Sequence, residues 1–383
     1  MTLANFNPSE EKIKIAIVAG EKSGDHLGGP LIQEIKKLYP QSIFVGLGGE
    51  KMQEQGLESL FNMEEIAVMG IIDPLLNLRK LLKLRKKLKD YFLKEKPDLF
   101  IGIDSPDFNL PISRFLKKNL KIKTLQYVSP SIWAWRSGRI KKMELSIDAV
   151  LTLFPFEKEA YSDSSIVAHF IGHPLAYEIP LLDESNINED KGDQEKSAKK
   201  IALLPGSRKS EVTLIGNIMV NAAILIKHKY PDVTFLMPLA SEEHKQLITN
   251  NNLSEFIKFS YGNSKEILSQ SDLAVITSGT ATLEALLYKT PCVIVYKTGW
   301  LSYKLIKPLL KIKNFSLPNL LAKKELLPEL LQEQVTPQNI ADELENIVNN
   351  KEINFHDEFR LIHESLRAGG SVKAAEVIQG LLN

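Results

Sequence analysis

The chain has 383 residues, 44% of them apolar and 25% charged, and a formal net charge of +1. This length suggests two domains and the composition excludes wholesale disorder, while the balanced charge gives no global reason to expect a nucleic-acid partner. A single cysteine, Cys292, excludes an internal disulfide and fits a reducing cytoplasm. No signal-peptide pattern opens the sequence, and no stretch approaches the roughly 18 apolar residues of a spanning helix.

The first half alternates short β-branched apolar runs with segments of helical spacing. The runs occupy residues 13–20, 43–49, 99–104, 123–128 and 149–154. Continuous apolar runs are typical of parallel strands that are covered on both faces. We therefore predict a Rossmann-like, doubly wound α/β domain over residues 1–181.

The polar stretch at 182–200 predicts an exposed linker or loop. The alternation then restarts, with apolar runs at 200–208, 234–240, 257–262, 273–279 and 291–297. A second Rossmann-like domain is expected over 201–345, and residues 346–383 predict C-terminal helices that pack across the domains. Two such domains would face a cleft at the carboxyl ends of their strands, where ligands are expected.

The loop after the first strand, VAGEKSGDHLGG, brings Ser23, Gly24 and Asp25 to the start of a helix. Glycine permits close backbone approach, and a helix N-terminus attracts anions. The loop is not a strict GxGxxG, so a tight turn with Asp25 as a capping residue is the alternative.

Residues 66–92 are the most membrane-like part of the sequence. Leucines alternate with the cations between Arg79 and Lys89, as in a basic amphipathic helix at a membrane interface. The alternative is a crossover helix with an apolar core face and a solvated basic face. The apolar residues from Met69 to Leu76 would be the more telling lipid contact.

GIDSPDFNL places Asp104 and Asp107 where a strand runs out into a loop. A sugar hydroxyl has a very high pKa, so its attack on an anomeric carbon needs a group that takes the proton. Asp104, at the strand end, is the better placed candidate. An Asx-turn or a helix cap is the alternative, more so for Asp107.

YVSPSIWAWRSGRIKKM clusters aromatic rings with cations, among them Trp133, Trp135, Arg136 and Arg139. Such clusters suit sugars, acyl chains and phosphates, although both tryptophans could instead pack in a core. His173 in FIGHPL is expected to be structural or to orient substrate.

Two loops of the second half join a strand to a helix and carry small polar residues. LLPGSR holds Gly206, Ser207 and Arg208, and ITSGTATLEALL holds Ser278, Gly279 and Thr280. Each suits a phosphate at a positive helix end, and Glu284, one turn later, suits a ribose. Each alone could be ordinary capping, but the pair favours a nucleoside diphosphate. The seven histidines show no metal-ligand spacing, so neither a metal nor a cofactor is expected.

Taken in order, the motifs resemble those of the lipid-A-disaccharide synthase family. They are AGEKSGD, VMGI, GIDSPDFN, YVSPSIWAWR, FPFEK, FIGHP, LLPGSR, SGTATLEA and SLPNLLA, and they run from about residue 13 to the C-terminal tail. The resemblance implies the two-domain GT-B architecture of glycosyltransferases and a reaction without a catalytic metal. It also implies inverting transfer of 2,3-diacylglucosamine from UDP to 2,3-diacylglucosamine 1-phosphate, a step of lipid A and lipopolysaccharide synthesis in Gram-negative bacteria.

The resemblance also implies roles for particular residues. Asp104 would be the general base, with Asp107 in support. UDP would bind to the second domain through Gly206, Ser207, Arg208, Ser278, Gly279, Thr280, Glu284, Asn319, Glu325 and Glu329. The first domain would take the acceptor and lipid through Ser23, Gly24, Asp25, Met69, Trp133, Trp135 and Arg136. Two departures, Lys22 where the family more often has alanine and the long polar stretch, do not put activity in doubt.

The implied location is cytoplasmic, at the inner-membrane surface. The sequence leaves open whether the protein forms a homodimer. The alternatives are a related GT-B transferase or a UDP-sugar epimerase with another substrate, and a non-catalytic module that binds UDP-sugar or a lipid surface.

Overall fold

The computed structural model describes residues 12–61, 63, 74–132, 137–181, 200–248, 256–299, 303, 314–350 and 352–383. The chain divides into two compact units. The first runs to Pro174 and also takes in Leu366–Asn383, and the second comprises Leu175–Ser365. The polar stretch in which sequence analysis puts the domain boundary lies almost wholly outside the described residues.

The first unit contains a seven-stranded parallel sheet of order β3-β2-β1-β4-β5-β6-β7. Its strands are β1 (Lys14–Ala19), β2 (Ile43–Leu47), β3 (Leu57–Ser59), β4 (Leu99–Ile103), β5 (Lys123–Tyr127), β6 (Ala149–Thr152) and β7 (Val167–Phe170). Its first five helices are α1 (Lys22–Leu38), α2 (Glu50–Glu54), α3 (Pro74–Glu95), α4 (Pro106–Leu120) and α5 (Ile140–Glu144). Two 3-10 helices cover Ser137–Arg139 and Pro155–Tyr161.

Strand β1 is apolar at every residue after Lys14, and its packing shows why. Ile15 and Ile17 pack in one core cluster with residues of α1, whereas Ala16 and Val18 pack in another with residues of α3 and α4. Successive side chains of a strand point to opposite faces, so a sheet covered by helices on both sides needs apolar residues at every position.

The second unit contains a six-stranded parallel sheet of order β10-β9-β8-β11-β12-β13. Its strands are β8 (Lys200–Leu204), β9 (Thr234–Leu239), β10 (Ile257–Tyr261), β11 (Leu273–Thr277), β12 (Cys292–Tyr296) and β13 (Glu329–Leu331). Its helices are α6 (Leu175–Glu178), α7 (Lys209–Lys229), α8 (Glu242–Gln246), α9 (Ser264–Ser269), α10 (Thr280–Leu287), α11 (Leu317–Ala322), α12 (Pro337–Asn349) and α13 (Phe355–Ser365), with a 3-10 turn at Gln332–Gln334.

Helix α7 is the one described helix that is long and apolar enough to cross a membrane. Its residues Val212, Ile215, Met219 and Val220 are buried in the core cluster of the second sheet. Core helices of this kind satisfy the same length and composition criteria, so this helix is weak evidence for a membrane span.

The last helix, α14 (Gly370–Leu382), belongs to the first unit. Its residues Ala374, Ala375 and Ile378 are buried in the core cluster that contains α1. The return of the chain is fixed by backbone hydrogen bonds from His173 to Leu366 (2.9 Å) and from Gly370 to Ile171 (2.7 Å). The first unit is therefore built from both ends of the described chain.

The prediction of two parallel α/β sheets is confirmed. Strands β3 and β13 were not expected. Each has three residues and lies at an edge of its sheet, so neither carries the continuous apolar run that marks a central strand.

Candidate functional site

The two sheets share an arrangement that places loops for ligands. In each, the first strand lies between the second and the fourth, namely β1 between β2 and β4, and β8 between β9 and β11. The loops after the two strands at such a switch point diverge and open a crevice at the carboxyl ends. Ser23 and Asp104 follow the pair β1 and β4, and Gly206 and Ser278 follow the pair β8 and β11.

The Asp104 carboxylate is held at the end of β4 by two hydrogen bonds. Ser23 Oγ donates to Oδ2 at 2.8 Å, and the Ser105 amide donates to Oδ1 at 2.8 Å. A carboxylate oxygen has two lone pairs, so each oxygen keeps capacity for another donor. The side chain is half-buried and lines a cavity of about 340 Å³ together with residues 128–132 and Arg139. This arrangement suits a base that receives a proton from a bound hydroxyl.

The backbone at Asp104 is strained. Asp104 has φ +52° and Ser105 has φ +36°, in the left-handed region that side chains rarely adopt. The carbonyl of Asp104 accepts hydrogen bonds from Asn109 Nδ2 and Gln126 Nε2, both at 2.9 Å. Both of these side chains are fully buried. Strain of this kind persists only when surrounding contacts enforce it, and it concentrates at functional sites.

Asp107 is placed differently from Asp104. Its side chain is 82% exposed and forms an ion pair with Arg139, and Arg85 Nη2 donates to its carbonyl at 3.0 Å. It lines a neighbouring cavity rather than the one that Asp104 faces. Burial lowers the pKa of Arg85, and the nearby Asp107 opposes that shift.

The first loop contributes one direct contact to the Asp104 carboxylate. Ser23 bonds Asp104, whereas the buried Asp25 accepts from the amides of Lys51 (3.1 Å) and Met52 (3.0 Å) and so caps α2. A Cβ on Gly24 would lie 3.1 Å from the Ala19 side chain, so this glycine lets α1 pack closely on β1. These contacts favour structural roles for Asp25 and Gly24.

Sequence reasoning missed Glu21 at this site. Ser105 Oγ donates to Glu21 Oε1 at 3.1 Å, which adds a second carboxylate near Asp104. The remaining residues expected on the acceptor side, Met69, Trp133, Trp135 and Arg136, lie outside the described residues.

His173 is half-buried and stacks on Phe154, with 5.1 Å between the ring centroids. Burial lowers the pKa of His173 to about 4. The imidazole is therefore neutral at pH 7.

A second cavity, of about 440 Å³, lies in the second unit at the carboxyl ends of β8, β9 and β11. Predicted UDP residues that line it are Gly206, Ser207, Arg208, Ser278, Gly279 and Thr280. Gly279 precedes α10, whose first amides have no partner within the helix. The positive end of the helix and these free donors suit an anion.

Thr277, which sequence reasoning missed, also lines this cavity. Its side chain is buried, and its Oγ1 has no hydrogen-bond partner among the described residues. A buried hydroxyl without a partner costs free energy unless a ligand or water satisfies it. The position after the apolar run LAVI was the available signal, because it is the last residue of β11.

Gly206 has φ +107°, and a Cβ there would lie 2.3 Å from Glu211 Oε2, so only glycine fits this turn. Arg208 pairs with Glu211 at 2.7 Å, and its side chain is 79% exposed. Glu211 is only 16% exposed, but solvent around the Arg208 guanidinium screens the pair, so this guanidinium is available to a phosphate.

Four other predicted UDP residues do not line the cavity, namely Glu284, Asn319, Glu325 and Glu329. Burial raises the pKa of Glu284, with Lys265 lowering it and Glu178 adding to the increase. Asn319 is fully buried, and its amide bonds the backbone of Leu326 and Leu327 as well as the Glu329 carboxylate.

Glu329 in turn accepts from Ser316 and Phe315. Since an asparagine side chain offers two donors and two acceptor lone pairs, Asn319 has none to spare for a ligand. These contacts favour a structural role for Asn319 and Glu329, while Glu325 is exposed. Among the described residues, no group of three or more His, Cys, Asp or Glu side chains lies close enough together to hold a metal ion.

A family model described as lipid-A-disaccharide synthetase matches residues 15–380. The chain is 42% identical over 373 residues to the lipid-A-disaccharide synthase of Idiomarina loihiensis, an alignment that covers 96% of this chain and 98% of that relative. It is 43% identical over 375 residues to the enzyme of the same name from Pseudomonas fluorescens, with 97% and 99% covered. The chain belongs to the lipid-A-disaccharide synthase family.

Solved structures support the GT-B fold of this family member. A crystal structure of the glycotransferase of kitacinnamycin aligns with a TM-score of 0.60 at 15% identity and covers 97% of this chain and 100% of its own. A UDP-GlcNAc 2-epimerase from Neisseria meningitidis, bound to UDP-GlcNAc, aligns with a TM-score of 0.58 at 13% identity, with 97% and 99% covered. At such identities the likeness shows the fold alone.

Family membership makes the chain a glycosyltransferase of lipid A biosynthesis. The relatives at about 42% identity are synthases, whereas the epimerase shares only the fold. The epimerase and the non-catalytic module, both left open by the sequence, are therefore set aside.

Proposed function

We propose that this synthase transfers 2,3-diacylglucosamine from UDP to the 6-hydroxyl of 2,3-diacylglucosamine 1-phosphate, giving a β-linked disaccharide 1-phosphate and UDP. The observation that carries the proposal is the Asp104 carboxylate, which lines a cavity at the end of β4 and keeps acceptor capacity on both oxygens.

In the proposed reaction the acceptor hydroxyl oxygen attacks the anomeric carbon of the donor while the bond from that carbon to the diphosphate breaks. Attack from the face opposite the leaving group inverts the anomeric centre. Asp104 takes the hydroxyl proton as the new bond forms, which makes it the general base. Ser23 and the Ser105 amide hold the carboxylate in place, so that it need not reorganise during the step.

UDP is proposed to bind in the 440 Å³ cavity of the second unit. Negative charge develops on the diphosphate as it departs, and the N-terminus of α10 and the Arg208 guanidinium would stabilise it. The unpartnered Thr277 hydroxyl supplies a further donor. These protein groups would replace the divalent cation that many nucleotide-sugar reactions use.

We also propose that the protein is cytoplasmic and associates with the inner membrane through α3. On this helix Leu78 and Leu82 are 54% and 49% exposed, one turn apart, among the exposed cations Arg79, Lys80 and Lys83. The opposite face of α3 is buried against the first sheet, so the helix is a crossover helix and still presents an apolar and basic outer face. The sequence favours the apolar segment from Met69 to Leu76 as the lipid contact, and residues 69–73 of it lie outside the described residues.

The test is to mix the purified full chain with both acylated glucosamine substrates and to measure the disaccharide phosphate and UDP, with and without EDTA. We expect both products in equal amounts and the same rate in EDTA. Release of UDP without disaccharide, or tight binding of UDP without turnover, would contradict the proposed reaction. A requirement for Mg²⁺ would contradict only its metal-free mechanism.

A further inference from the structure

Beside the Asp104 cavity lies a second cavity of the first unit, of about 580 Å³, which we call the basic cavity. Its charged lining consists of Asp107, Arg114, Arg139 and Lys142. We propose that the basic cavity binds the phosphate monoester of the acceptor sugar, an inference that rests on the proposed function.

Three elements bring these charges together. Asp107 and Arg114 lie two turns apart on α4 and therefore on the same face. Arg139 ends the 3-10 turn before α5, and Lys142 lies on α5 itself. The cavity thus lies between α4 and residues 138–146.

The charge of the basic cavity matches a phosphate monoester. Three cations and one carboxylate leave a formal charge of about +2, and a phosphate monoester carries about −1.5 to −2 at pH 7. Arg139 is largely buried and held by Asp107, so its guanidinium is oriented before a ligand arrives. Arg114 and Lys142 are exposed and have no counter-ion among the described residues.

The position of the basic cavity relative to Asp104 fits one acceptor molecule. Pro106 and Arg139 line both cavities, so the two are contiguous. The acceptor carries its phosphate and its reacting hydroxyl on the same sugar ring. A phosphate in the basic cavity would then direct the ring across Pro106 and hold the hydroxyl at Asp104.

The decisive experiment separates this site from a site for membrane headgroups, which are phosphodiesters. Arg114→Gln and Lys142→Gln are compared with Lys141→Gln, an exposed neighbour on α5 that does not line the cavity. We expect KM for the phosphorylated acceptor to rise about ten-fold in each of the first two variants, since each loses a charge-assisted contact. KM for the UDP-linked donor should stay unchanged, and Lys141→Gln should behave as wild type.

A binding measurement that needs no turnover accompanies the kinetics. Calorimetric titration of the full chain with soluble glucosamine 1-phosphate, against glucosamine as reference, should show binding that both cavity variants weaken and Lys141→Gln keeps. This titration tests the basic cavity even if the wild type makes no disaccharide. The absence of disaccharide would contradict only the proposed function.

Unchanged acceptor KM and unchanged glucosamine 1-phosphate binding in both variants would overturn the inference. The inference would also be overturned if the two cavity variants lost only their co-sedimentation with phosphatidylglycerol vesicles, because the cations would then bind the membrane surface. An equal effect in Lys141→Gln would also overturn it, because general surface charge would then explain the result.

Discussion

Asp104 combines a strained backbone with a carboxylate that faces a cavity, and this combination makes it testable. We expect Asp104→Asn to keep the fold and UDP affinity, because asparagine tolerates the left-handed region. Turnover should fall by about two or more orders of magnitude, the usual span for a positioned general base. Steady-state kinetics and UDP calorimetry on the same preparation measure both quantities.

Asp107→Asn is the matched comparison for Asp104. Because its carboxylate is 82% exposed and already paired with Arg139, we expect a smaller loss of turnover. Near-normal turnover in Asp104→Asn with a large loss in Asp107→Asn would transfer the role of base to Asp107.

Arg208 lines the cavity of the second unit and is paired only weakly with Glu211. Arg208→Ala should weaken UDP affinity and turnover together, since a charge-assisted contact to the diphosphate acts on the bound state and on the departing group. Calorimetry measures the UDP affinity. The control is Lys209→Ala, since Lys209 is an exposed neighbour outside the cavity lining. Unchanged affinity in Arg208→Ala would mean that the loop is only a turn.

His173 gives the first unit a dependence of stability on pH. Its pKa is about 4 in the folded chain and about 6.5 when unfolded, so the unfolded state binds the proton more readily. The contribution to stability is complete above about pH 6.5 and is lost as the pH falls to about 4, up to about 3 kcal/mol. His173→Phe keeps a ring against Phe154 and should flatten the decline in melting temperature over this range. An unaltered decline would assign it to other groups, among them His169, whose pKa burial also lowers.

Part of the candidate site was predictable from single residues. Asp104 directly follows an apolar run and Gly206 follows one after Pro205, so their places at strand ends could be predicted from the sequence. The positive φ of Asp104 and the contact between Glu21 and Ser105 depend on how separate segments meet, and no local pattern encodes them. Asn319 was expected in the nucleotide site through resemblance alone, whereas its contacts tie it to its own loop.

At the scale of elements, α3 carries the proposed attachment to membranes. Replacing Leu78 and Leu82 by serine should lower co-sedimentation with anionic vesicles and activity on long-chain substrates, because both side chains are exposed on the basic face. UDP affinity should be spared, since the nucleotide cavity belongs to the second unit. Leu361→Ser, on α13 and 57% exposed, is the control. If the double variant and wild type co-sediment equally, or if vesicle binding does not depend on salt and anionic lipid, then α3 is a crossover helix only.

Central strands such as β1 and β11 could be predicted because both of their faces are covered and their residues are apolar apart from Lys14 and Thr277 at their ends. The edge strands β3 and β13 could not, since a short strand paired on one side needs no such run. The helical tail was predicted as helical, but the unit to which each helix belongs depends on long-range packing. Spacing along the sequence carries no information about that choice.

At the scale of the whole molecule, α14 completes the core of the first unit. Ile378 is fully buried against that core, so Ile378→Ala should lower the free energy of unfolding of this unit by about 2–5 kcal/mol. Val372 lies on the exposed side of the same helix, and Val372→Ala should change it by less than about 0.5 kcal/mol. Chemical denaturation followed by a probe in the first unit compares the two, and equal effects would show that α14 contributes little packing.

The return of α14 also constrains how the chain can fold while it is being made. The first 174 residues leave the ribosome long before Leu366–Asn383 exist, so the nascent first unit keeps the apolar side of α1 that α14 covers without its partner. The second unit, Leu175–Ser365, is continuous in sequence, so all of it is synthesised without interruption by the other unit. Domains generally fold as units during synthesis, in order from the N-terminus. Here the order of completion is reversed: synthesis of the first unit begins first, but its core is completed only after the whole second unit has been made.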